Sequence, residues 1–427
     1  MVQINHNTGE YHPYHGIFVQ GSLQYRPRAI EAGLQSLLAT FPVVVVTGAR
    51  QTGKTTLVRE IGGDGRKYLT LDDYDVLDQA LHAPDQLLVR GRRITLDEVQ
   101  RAPDLLLAVK RVVDASREPG RFLLTGSANL SLMKGVSETL AGRAVYVTLW
   151  PMTRREAVGA GATGSWDVFV DLPTADWPSA LEDGLPCDRL PWMGLARRGG
   201  YPIPALSLRS DANRAAWFEG YLRTYLERDL QQLAAIDNLV GFQRLIRATA
   251  LRVGGLLNQA DLARDAGLAP TTALRYVHLL NTSYQLVRVE PYAVNRTKRM
   301  VKSPRIYWSD TGLALHLAGG EPKGAHFENL LVNDLFAWRE TRTPRPEVLF
   351  WRTSKGAEVD LVIETPGRLI PVEVKGRPML RVSDARHLKT FMRDYRDEAP
   401  AAVVIYAGRE TYWLTDGVLA VPWDRVA

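Results

Sequence analysis

The chain has 427 residues, of which 45% are hydrophobic and 23% are charged, the proportions of an ordinary soluble globular protein. That length exceeds one hydrophobic core, so we expect about two or three domains. The single cysteine, Cys187, excludes an internal disulfide framework and a cysteine-rich zinc site. No apolar window is long enough to span a membrane, and the N-terminus has no secretory signal, so we expect a cytoplasmic protein without membrane contact. The net charge of +6 permits nucleic-acid binding without establishing it.

Short apolar runs alternate with helical stretches in residues 21–157, after a flexible arm at residues 1–20. This alternation predicts an α/β fold, a parallel sheet with helices on both faces. The predicted strands are Val43 to Val46, Tyr68 to Leu71, Ile94 to Leu96, Phe122 to Leu124 and Ala144 to Leu149. Residues 158–190 break the pattern with Gly, Pro, Asp and Trp and are expected to form an insertion or a long loop. A helical lid is predicted at residues 191–240.

A phosphate-binding loop follows the first predicted strand and precedes a predicted helix. Its glycines let backbone N–H groups turn toward phosphate oxygens, and the helix N-terminus adds the positive end of its dipole. We expect Lys54 to reach the β- and γ-phosphates of ATP and the Thr55 hydroxyl to bind Mg²⁺. The predicted nucleotide-binding residues of this loop are Gly48, Ala49, Arg50, Gln51, Thr52, Gly53, Lys54, Thr55 and Thr56.

Two carboxylates, Asp97 and Glu98, directly follow the predicted strand that ends at Leu96. They would emerge at the carboxyl edge of the sheet, beside the phosphate-binding loop. We expect Asp97 to hold the metal, directly or through its water, and Glu98 to orient and polarise the attacking water. An Asp-Glu pair alone is usually a solvated turn, but together with an upstream phosphate-binding loop it predicts ATP hydrolysis.

At these motifs the chain resembles the AAA+ ATPases, and the resemblance implies two further roles. The class places a polar residue that senses the γ-phosphate after the strand Phe122 to Leu124, where Ser127 and Asn129 are both candidates. It commonly carries an arginine finger at the position of Arg143, which would reach the nucleotide of a neighbouring subunit and imply a homo-oligomer, such as a ring. The alternative for Arg143 is a surface arginine in a turn.

Residues 241–318 have the layout of a winged helix: two short helices separated by Gly267, then predicted strands at Gln285 to Pro291 and Arg305 to Trp308. The inner face of the second helix is predicted to carry Ala273, Leu274, Val277 and Leu280. Its outer face and a basic wing are the predicted DNA contacts: Thr271, Thr272, Arg275 and His278 on the helix, and Arg296, Lys298, Arg299 and Lys302 on the wing. Many winged helices instead serve protein contacts or act as lids.

Residues 319–427 predict a small α/β unit with an acidic cluster. The tripeptide Glu373-Val374-Lys375 ends one strand, and Asp360 lies on the preceding antiparallel strand. Two carboxylates and a lysine suit Mg²⁺-assisted phosphodiester cleavage, with Asp360 and Glu373 binding the metal and Lys375 steadying the attacking water. This arrangement resembles the PD-(D/E)XK nucleases, in which Glu328 would complete the metal site. The alternatives are a charged hairpin edge and a nuclease-like domain that only binds.

The whole chain, from about residue 25, resembles a bacterial and archaeal family of AAA+ ATPases with a winged helix and a nuclease-like C-terminal domain of unknown function. Matching stretches include Gly48 to Thr56, Leu96 to Gln100, Gly199 to Pro202, Gly356 to Asp360 and Glu373 to Lys375. The resemblance implies the architecture and not the substrate. Together with the ATP site, the basic wing and the nuclease-like residues, it leads to our hypothesis of an ATPase that uses ATP and Mg²⁺ to remodel or process DNA, branched or damaged DNA in particular. The alternative is an ATP-gated switch that binds a protein partner and carries a silent nuclease-like domain.

Overall fold

The structure is a computed structural model, and it describes residues 24–63, 65–126, 140–182, 190–224, 236–294 and 303–427. Throughout this described part, no helix is both long enough and apolar enough to cross a membrane. Two sheets, one in each half of the chain, organise the fold.

The first sheet is parallel and has the strand order β2-β3-β4-β1-β5. Its strands are β1 (Val43–Thr47), β2 (Arg66–Thr70), β3 (Arg93–Asp97), β4 (Phe122–Thr125) and β5 (Ala144–Thr148). The four valines of β1 are fully buried because helices cover both faces of the sheet. The predicted parallel α/β sheet is therefore confirmed, with each strand starting and ending within about two residues of its predicted bounds.

Helices and a short 3₁₀ turn connect and flank these strands. They are α1 (Glu31–Thr40), α2 (Lys54–Gly62), α3 (Tyr74–His82), α4 (Pro84–Leu88), α5 (Leu105–Ala115) and α6 (Arg154–Ala157), with the 3₁₀ turn at Val99–Arg101. Helix α2 begins at Lys54 because Gly53 adopts a left-handed conformation, with a φ of 94°, that only glycine enters without strain. The helix N-terminus therefore lies directly beyond the carboxyl end of β1.

Residues 167–180 form short helical elements, whereas the sequence predicted an insertion or long loop over residues 158–190. They contain α7 (Asp167–Asp171), a 3₁₀ turn (Thr174–Asp176) and α8 (Trp177–Ala180). Trp166, Phe169 and Trp177 are fully buried in the largest hydrophobic core. The Gly and Pro content suggested a loop, but the aromatic side chains have enough apolar surface to fold the segment into the core.

Helical elements continue in the next part of the chain. They are α9 (Trp192–Arg198), α10 (Pro202–Leu206), α11 (Asp211–Tyr221), α12 (Leu239–Ala250), α13 (Gln259–Ala266) and α14 (Pro270–Thr282). The Asn258 side chain caps α13, and left-handed Gly267 ends it, as the helix-turn-helix pattern predicted. The expectation that Leu274 faces inward is wrong, because it is 44% exposed and Tyr276 takes the buried position. Tyr276, at the i+3 position from Ala273, shares the inner face, whereas Leu274 lies about 100° around the helix from Ala273.

The second sheet has eight strands in the order β12-β13-β11-β10-β9-β8-β6-β7. Its strands are β6 (Leu286–Pro291), β7 (Arg305–Trp308), β8 (Glu347–Arg352), β9 (Glu358–Thr365), β10 (Arg368–Lys375), β11 (Ala402–Tyr406), β12 (Tyr412–Thr415) and β13 (Val418–Pro422). The helices around it are α15 (Thr311–Ala318), α16 (Gly324–Arg339), α17 (Arg386–Asp394) and α18 (Trp423–Val426), with a 3₁₀ turn at Val382–Ala385.

Strands β6 and β7 form an antiparallel ribbon that is part of this second sheet. The residue pairs Glu290–Leu349 and Pro291–Phe350 join β6 to β8 in parallel. The predicted boundary between residues 318 and 319 therefore separates two segments that share one sheet and one hydrophobic core. Sequence periodicity reports single strands and carries no information about which strands pair across such a boundary.

Three contacts fasten the first sheet to the rest of the chain. The Thr148 N–H donates to Glu340 Oε2 at 3.1 Å, and Arg345 Nη2 donates to the carbonyl of Tyr146 at 2.5 Å, so the outer edge of β5 is covered. The Tyr284 hydroxyl, from the turn after α14, bonds to the Thr47 Oγ1 at 2.9 Å. Thr47 directly precedes the phosphate-binding loop, so that loop lies where the two halves of the molecule meet.

Candidate functional site

The loop between β1 and α2 has the curved backbone that phosphate binding needs. Gly48 has a φ of 140°, and a Cβ at this position would overlap the carbonyl oxygen of Leu149. Gln51 is in the left-handed region with a φ of 66°, and Thr52 Oγ1 donates back to the Ala49 carbonyl at 2.9 Å. Thr52 is buried, whereas Arg50, Gln51 and Thr56 are exposed. The predicted loop residues thus form a tight turn at the carboxyl end of the sheet.

Lys54 is buried inside this turn, where its ammonium group bonds to the loop itself. Its Nζ donates to the carbonyls of Gly48 at 3.1 Å and Ala49 at 2.8 Å. Burial lowers the pKa of Lys54 to about 8, although the carboxylates of Glu98 and Asp97 act in the opposite direction. A triphosphate would exchange these two carbonyl bonds for charge-assisted bonds to phosphate oxygens.

Asp97 ends β3 with both carboxylate oxygens bonded to hydroxyl groups. Its Oδ2 accepts from Thr55 Oγ1 at 2.9 Å and from the Tyr68 hydroxyl at 2.6 Å, and its Oδ1 accepts from Thr125 Oγ1. The predicted metal ligands Thr55 and Asp97 are therefore in direct contact. Their oxygen atoms are the ligand type that Mg²⁺ prefers, and the Asp97 partners are all neutral hydroxyls, so these residues fit the metal.

Glu98 lies next to Asp97 in a strained backbone conformation. Its φ of 58° is uncommon for a residue with a side chain. The Glu98 N–H donates to Thr125 Oγ1 at 3.2 Å, and Gln100 Nε2 donates to Glu98 Oε2. Thr125 therefore holds both acids, and Gln100 holds the carboxylate predicted to polarise water.

Arg28 supports the loop from beneath, in a position that the sequence did not predict. Its Nη1 donates to the Thr52 carbonyl at 2.9 Å, its Nη2 donates to the Trp150 carbonyl at 2.7 Å, and its Nε lies 3.2 Å from Glu156 Oε1. The arginine is almost fully buried and links the loop to the end of β5. Nothing in the sequence around Arg28 indicated the contact.

Tyr68 and Thr125 are two further site residues that the sequence analysis missed. Thr125 could have been predicted, because a polar residue at the carboxyl end of a parallel strand faces the site. Tyr68 was not, because its contact with Asp97 depends on β2 lying beside β3 in the sheet. The Tyr68 ring also carries the Arg59 guanidinium at 4.4 Å from its centroid.

Arg143, the predicted arginine finger, is paired within its own chain. Its Nε lies 2.5 Å from Asp114 Oδ1 and its Nη2 lies 3.0 Å from Asp114 Oδ2, a two-point contact with α5. The candidate γ-phosphate sensors Ser127 and Asn129 lie outside the described residues. The choice between them stays open.

Tyr221, at the end of α11, contacts the phosphate-binding loop. The Tyr221 hydroxyl donates to the Arg50 carbonyl at 3.3 Å and accepts from Gln285 Nε2 at 3.1 Å. The Tyr201 hydroxyl bonds to Tyr221 at 3.1 Å, and all three side chains are buried or nearly so. This hydrogen-bonded chain runs from the loop to Gln285, the residue before β6.

The outer face of α14 is open to solvent. Thr271, Arg275 and His278 are exposed and Thr272 is half-buried, while Arg275 pairs with Asp237 at 3.4 Å. A groove of ≈ 970 Å³ lies between α13, α14 and the ribbon, and its lining includes Leu256, Leu274, His278, Asn281 and Arg288. The predicted wing residues Arg296, Lys298, Arg299 and Lys302 lie outside the described residues.

The acidic residues predicted for the second half converge where β9 begins and β10 ends. The Val374 N–H donates to Asp360 Oδ2 at 3.0 Å, and Lys375 Nζ donates to Glu373 Oε1 at 2.5 Å. Burial is the main cause that raises the pKa of Glu328 and of Glu373, and the charge of Asp360 adds to it. The sequence therefore predicted correctly that these side chains lie close together.

An arginine that the sequence analysis did not single out lies inside this acidic cluster. Arg305 Nη1 is 2.9 Å from Glu328 Oε1 and 3.4 Å from Asp360 Oδ1, and its Nη2 pairs with Glu358. In the described ranges, no three His, Cys, Asp or Glu side chains form a group that could hold a metal ion. Glu328, Asp360 and Glu373 thus do not fit a divalent metal in this arrangement, because a guanidinium group already occupies the space between two of them.

Three family models match the chain. One is an AAA domain, over residues 40–158, and the others are domains of unknown function over residues 192–324 (DUF8612) and residues 323–426 (DUF4143). The first match contains the phosphate-binding loop, Asp97 and Glu98. Both halves of the candidate site therefore lie in one recognised unit.

Two mycobacterial proteins are similar over nearly the whole chain. Uncharacterized protein Rv2008c of Mycobacterium tuberculosis and uncharacterized protein Mb2031c of Mycobacterium bovis are each 35% identical over 410 residues, which is 93% of this chain and 84% of each relative. Among solved structures, the Walker-type ATPase PABY2304 of Pyrococcus abyssi is 16% identical with a TM-score of 0.42, and the match covers 69% of this chain and 99% of that one.

Proposed function

The chain belongs to the family of the uncharacterized mycobacterial protein Rv2008c and is an ATPase of the AAA type, and we propose that ATP hydrolysis drives a DNA-binding unit formed by residues 241–318. The observation that carries the proposal is the hydrogen-bonded chain from the Arg50 carbonyl through Tyr221 to Gln285. It links the phosphate-binding loop to β6, the first strand of the ribbon.

In the proposed reaction, this chain's residues bind the triphosphate and activate a water molecule. Lys54 leaves the carbonyls of Gly48 and Ala49 and binds the β- and γ-phosphates. Glu98 accepts a hydrogen bond from the attacking water and increases its nucleophilicity. Magnesium, held by Thr55 and Asp97, would neutralise part of the phosphate charge. Gln100 donates to Oε2 of Glu98, so Oε1 is the oxygen that would accept from the water.

We assign DNA binding to residues 241–318, as a winged helix whose second helix is α14. Thr271, Thr272, Arg275 and His278 would contact the backbone or the base edges. The uncapped N-terminus of α14, where Ala269 has no side-chain oxygen to offer, leaves N–H groups for a phosphate. Arg296, Lys298, Arg299 and Lys302 would add phosphate contacts, so binding should weaken as salt rises.

A homo-oligomer, such as a ring, would give Arg143 a role at the nucleotide of the neighbouring subunit. In the monomer this arginine is held by two contacts to Asp114. Assembly would therefore have to exchange an intramolecular ion pair for a phosphate contact. A comparison of ATPase rate with protein concentration tests this point, because an arginine supplied in trans makes the specific activity rise with assembly.

The test of the proposed function measures ATP hydrolysis with duplex, single-stranded, forked and four-way DNA at low and high salt. We expect DNA to raise the rate, and the triple variant Thr271→Ala, Arg275→Ala and His278→Ala to lose most of that stimulation. Arg111→Ala, an exposed arginine on α5 far from this face, is the matched control and should keep it. A rate indifferent to every DNA, with no DNA bound at low salt, would remove the proposal.

A second candidate function is an ATP-gated switch that binds a protein partner. It is favoured by two apolar side chains in the groove beside α14, since Leu256 is 36% exposed and Leu274 is 44% exposed. Exposed leucines contribute little to a phosphate backbone contact but suit an apolar protein segment. Substitution of Leu274 by Ser separates the two functions, because it should spare DNA binding and weaken a protein contact.

A further inference from the structure

The guanidinium of Arg305 fills the position at which the acidic cluster of the second half would otherwise need a cation. We propose that Arg305 is the resident cation of the cluster formed by Glu328, Glu358, Asp360 and Glu373, so that the cluster fastens β7 to β9 and α16 and admits a divalent metal ion only when Arg305 is removed. The inference does not depend on ATP hydrolysis or on DNA binding.

Arg305 is held in the cluster from several sides. It contacts the carboxylates of Glu328 and Asp360 at 2.9 and 3.4 Å and pairs with Glu358, and its guanidinium lies 5.2 Å from the centre of the Phe350 ring. Its side chain is only 8% exposed. A planar group with five N–H donors satisfies several carboxylates at once, which a hydrated surface lysine does not do.

Three of the carboxylate oxygens that a metal would need are already bonded. Asp360 uses Oδ1 for Arg305 and Oδ2 for the Val374 N–H. Glu328 Oε1 accepts from both Arg305 and the Tyr307 hydroxyl, which is 2.5 Å away. A divalent ion among these oxygens would lie within a few ångströms of a fixed positive charge and would be repelled by it.

One carboxylate oxygen of the cluster, in contrast, has no partner, and it makes a metal-binding test informative. Glu373 Oε2 is buried and has no hydrogen-bond partner, although Oε1 is paired with Lys375. An unpartnered buried carboxylate oxygen is costly and is a natural metal ligand. With Arg305 absent, this oxygen and the released oxygens of Asp360 and Glu328 would supply a set of hard ligands of the kind that Mn²⁺ and Mg²⁺ bind.

The cation comes from a different segment of the chain than most of the acids. Arg305 and Tyr307 lie on β7, the outer strand of the ribbon, whereas Glu358, Asp360 and Glu373 lie on β9 and β10. The ion cluster therefore adds a side-chain fastening to the backbone pairing of β6 with β8. In the nuclease-like unit, Arg305 occupies the position of the metal, and its ion pairs hold the ribbon in place.

The experiment titrates MnCl₂ into the full chain without nucleotide and follows free Mn²⁺ by electron paramagnetic resonance. We expect the native protein to bind no Mn²⁺ at this cluster below about 1 mM, so Glu373→Gln should leave any Mn²⁺ binding at Thr55 and Asp97 unchanged. Arg305→Ala should gain about one bound Mn²⁺ per chain, with a dissociation constant at least tenfold below that limit. Arg305→Lys, which keeps a cation, should gain none. A second substitution, Glu373→Gln in the Arg305→Ala background, should remove the gained site.

Arg342→Ala is the matched control, because it releases Asp167 and Asp171 at the surface without touching the cluster. It should bind no more Mn²⁺ than the native chain. The proposal is overturned if the native chain binds Mn²⁺ and Glu373→Gln abolishes that binding, or if folded Arg305→Ala binds none. Should Arg305→Ala fail to fold, Arg305→Gln takes its place, and the native titration still decides the first of these outcomes.

Discussion

The nucleotide loop and the C-terminal acidic cluster each bring carboxylates to the end of a strand beside a lysine, yet they hold those carboxylates differently. At the nucleotide loop, Asp97 accepts from three neutral hydroxyls, those of Thr55, Tyr68 and Thr125. In the acidic cluster, Glu328 and Asp360 are paired with the guanidinium of Arg305. Hydroxyl partners carry no charge, so a metal ion can displace or join them.

The difference teaches that converging acids do not by themselves make a metal site. The decisive feature is the charge of the groups that already satisfy the oxygens, because a fixed cation opposes a second one. The first site keeps its carboxylates ready for an incoming ion, whereas the second already contains Arg305 as its cation. The predictions that follow test this distinction.

The largest effect is expected on ATP turnover when Glu98 is substituted, because Glu98 belongs to the nucleotide site and not to the acidic cluster. Glu98→Gln should lower ATP turnover by about 10² to 10⁴, the range of a lost general base, while ATP binding persists. Asp360→Asn in the acidic cluster should leave turnover unchanged. Steady-state hydrolysis and equilibrium binding of labelled ATP measure the two properties, and equal losses in both variants would contradict the comparison.

Next in size is the effect of Arg305 on stability. Arg305→Ala should lower the free energy of unfolding by about 3 kcal/mol, because it leaves three partly buried carboxylates without their buried cation. Arg111→Ala removes an ion pair between exposed side chains and should change the stability little. Denaturant unfolding followed by circular dichroism measures both. An equally small loss for both arginines would mean that Arg305 does not fasten the cluster.

A smaller effect is expected from pH at the first site. With the pKa of Lys54 at about 8 in the empty loop, the ammonium form dominates below pH 8 and is lost above it. Because phosphate binds the charged form, ATP affinity should fall by up to about tenfold per pH unit above 8, with uptake of one proton. Calorimetry of the native protein with a non-hydrolysable ATP analogue in two buffers measures this uptake; an affinity that is flat between pH 7 and 9.5 would refute it.

The smallest effect is expected from Tyr68, one of the hydroxyl donors to Asp97. Tyr68→Phe removes a hydrogen bond of 2.6 Å to the oxygen that also accepts from Thr55. With one competing donor fewer, the Mg²⁺ concentration that half-saturates ATP hydrolysis should fall by about two- to fivefold. Tyr146→Phe on the opposite edge strand is the control. A higher Mg²⁺ requirement in Tyr68→Phe would mean that the hydroxyl helps to hold the metal.

Much of the first site could be predicted from local sequence. Gly48, Gly53, Lys54 and Thr55 have roles set by a turn between a strand and a helix, and Asp97 follows a strand whose parallel neighbours end at the same edge. Tyr68 and Arg28 could not be found in this way, because both reach the site only through the order of strands and the packing beneath the loop.

The acidic cluster marks the limit of that reasoning. Sequence spacing brought Asp360, Glu373 and Lys375 together correctly, because an antiparallel hairpin and strand alternation are local properties. Sequence spacing gave no sign that Arg305 would enter, since its strand joins the sheet through β6 and β8, about 55 residues from Asp360 along the chain.

The sequence by itself therefore determined the phosphate-binding turn, the parallel sheet around it and the hairpin that carries the acids, since short-range backbone and burial patterns encode all three. Tertiary structure alone decided which cation meets which acid, and it turned the expected loop at residues 158–182 into a packed part of the core. Charge pairing and burial depend on distances between segments that are remote in the chain, and no local pattern records those distances.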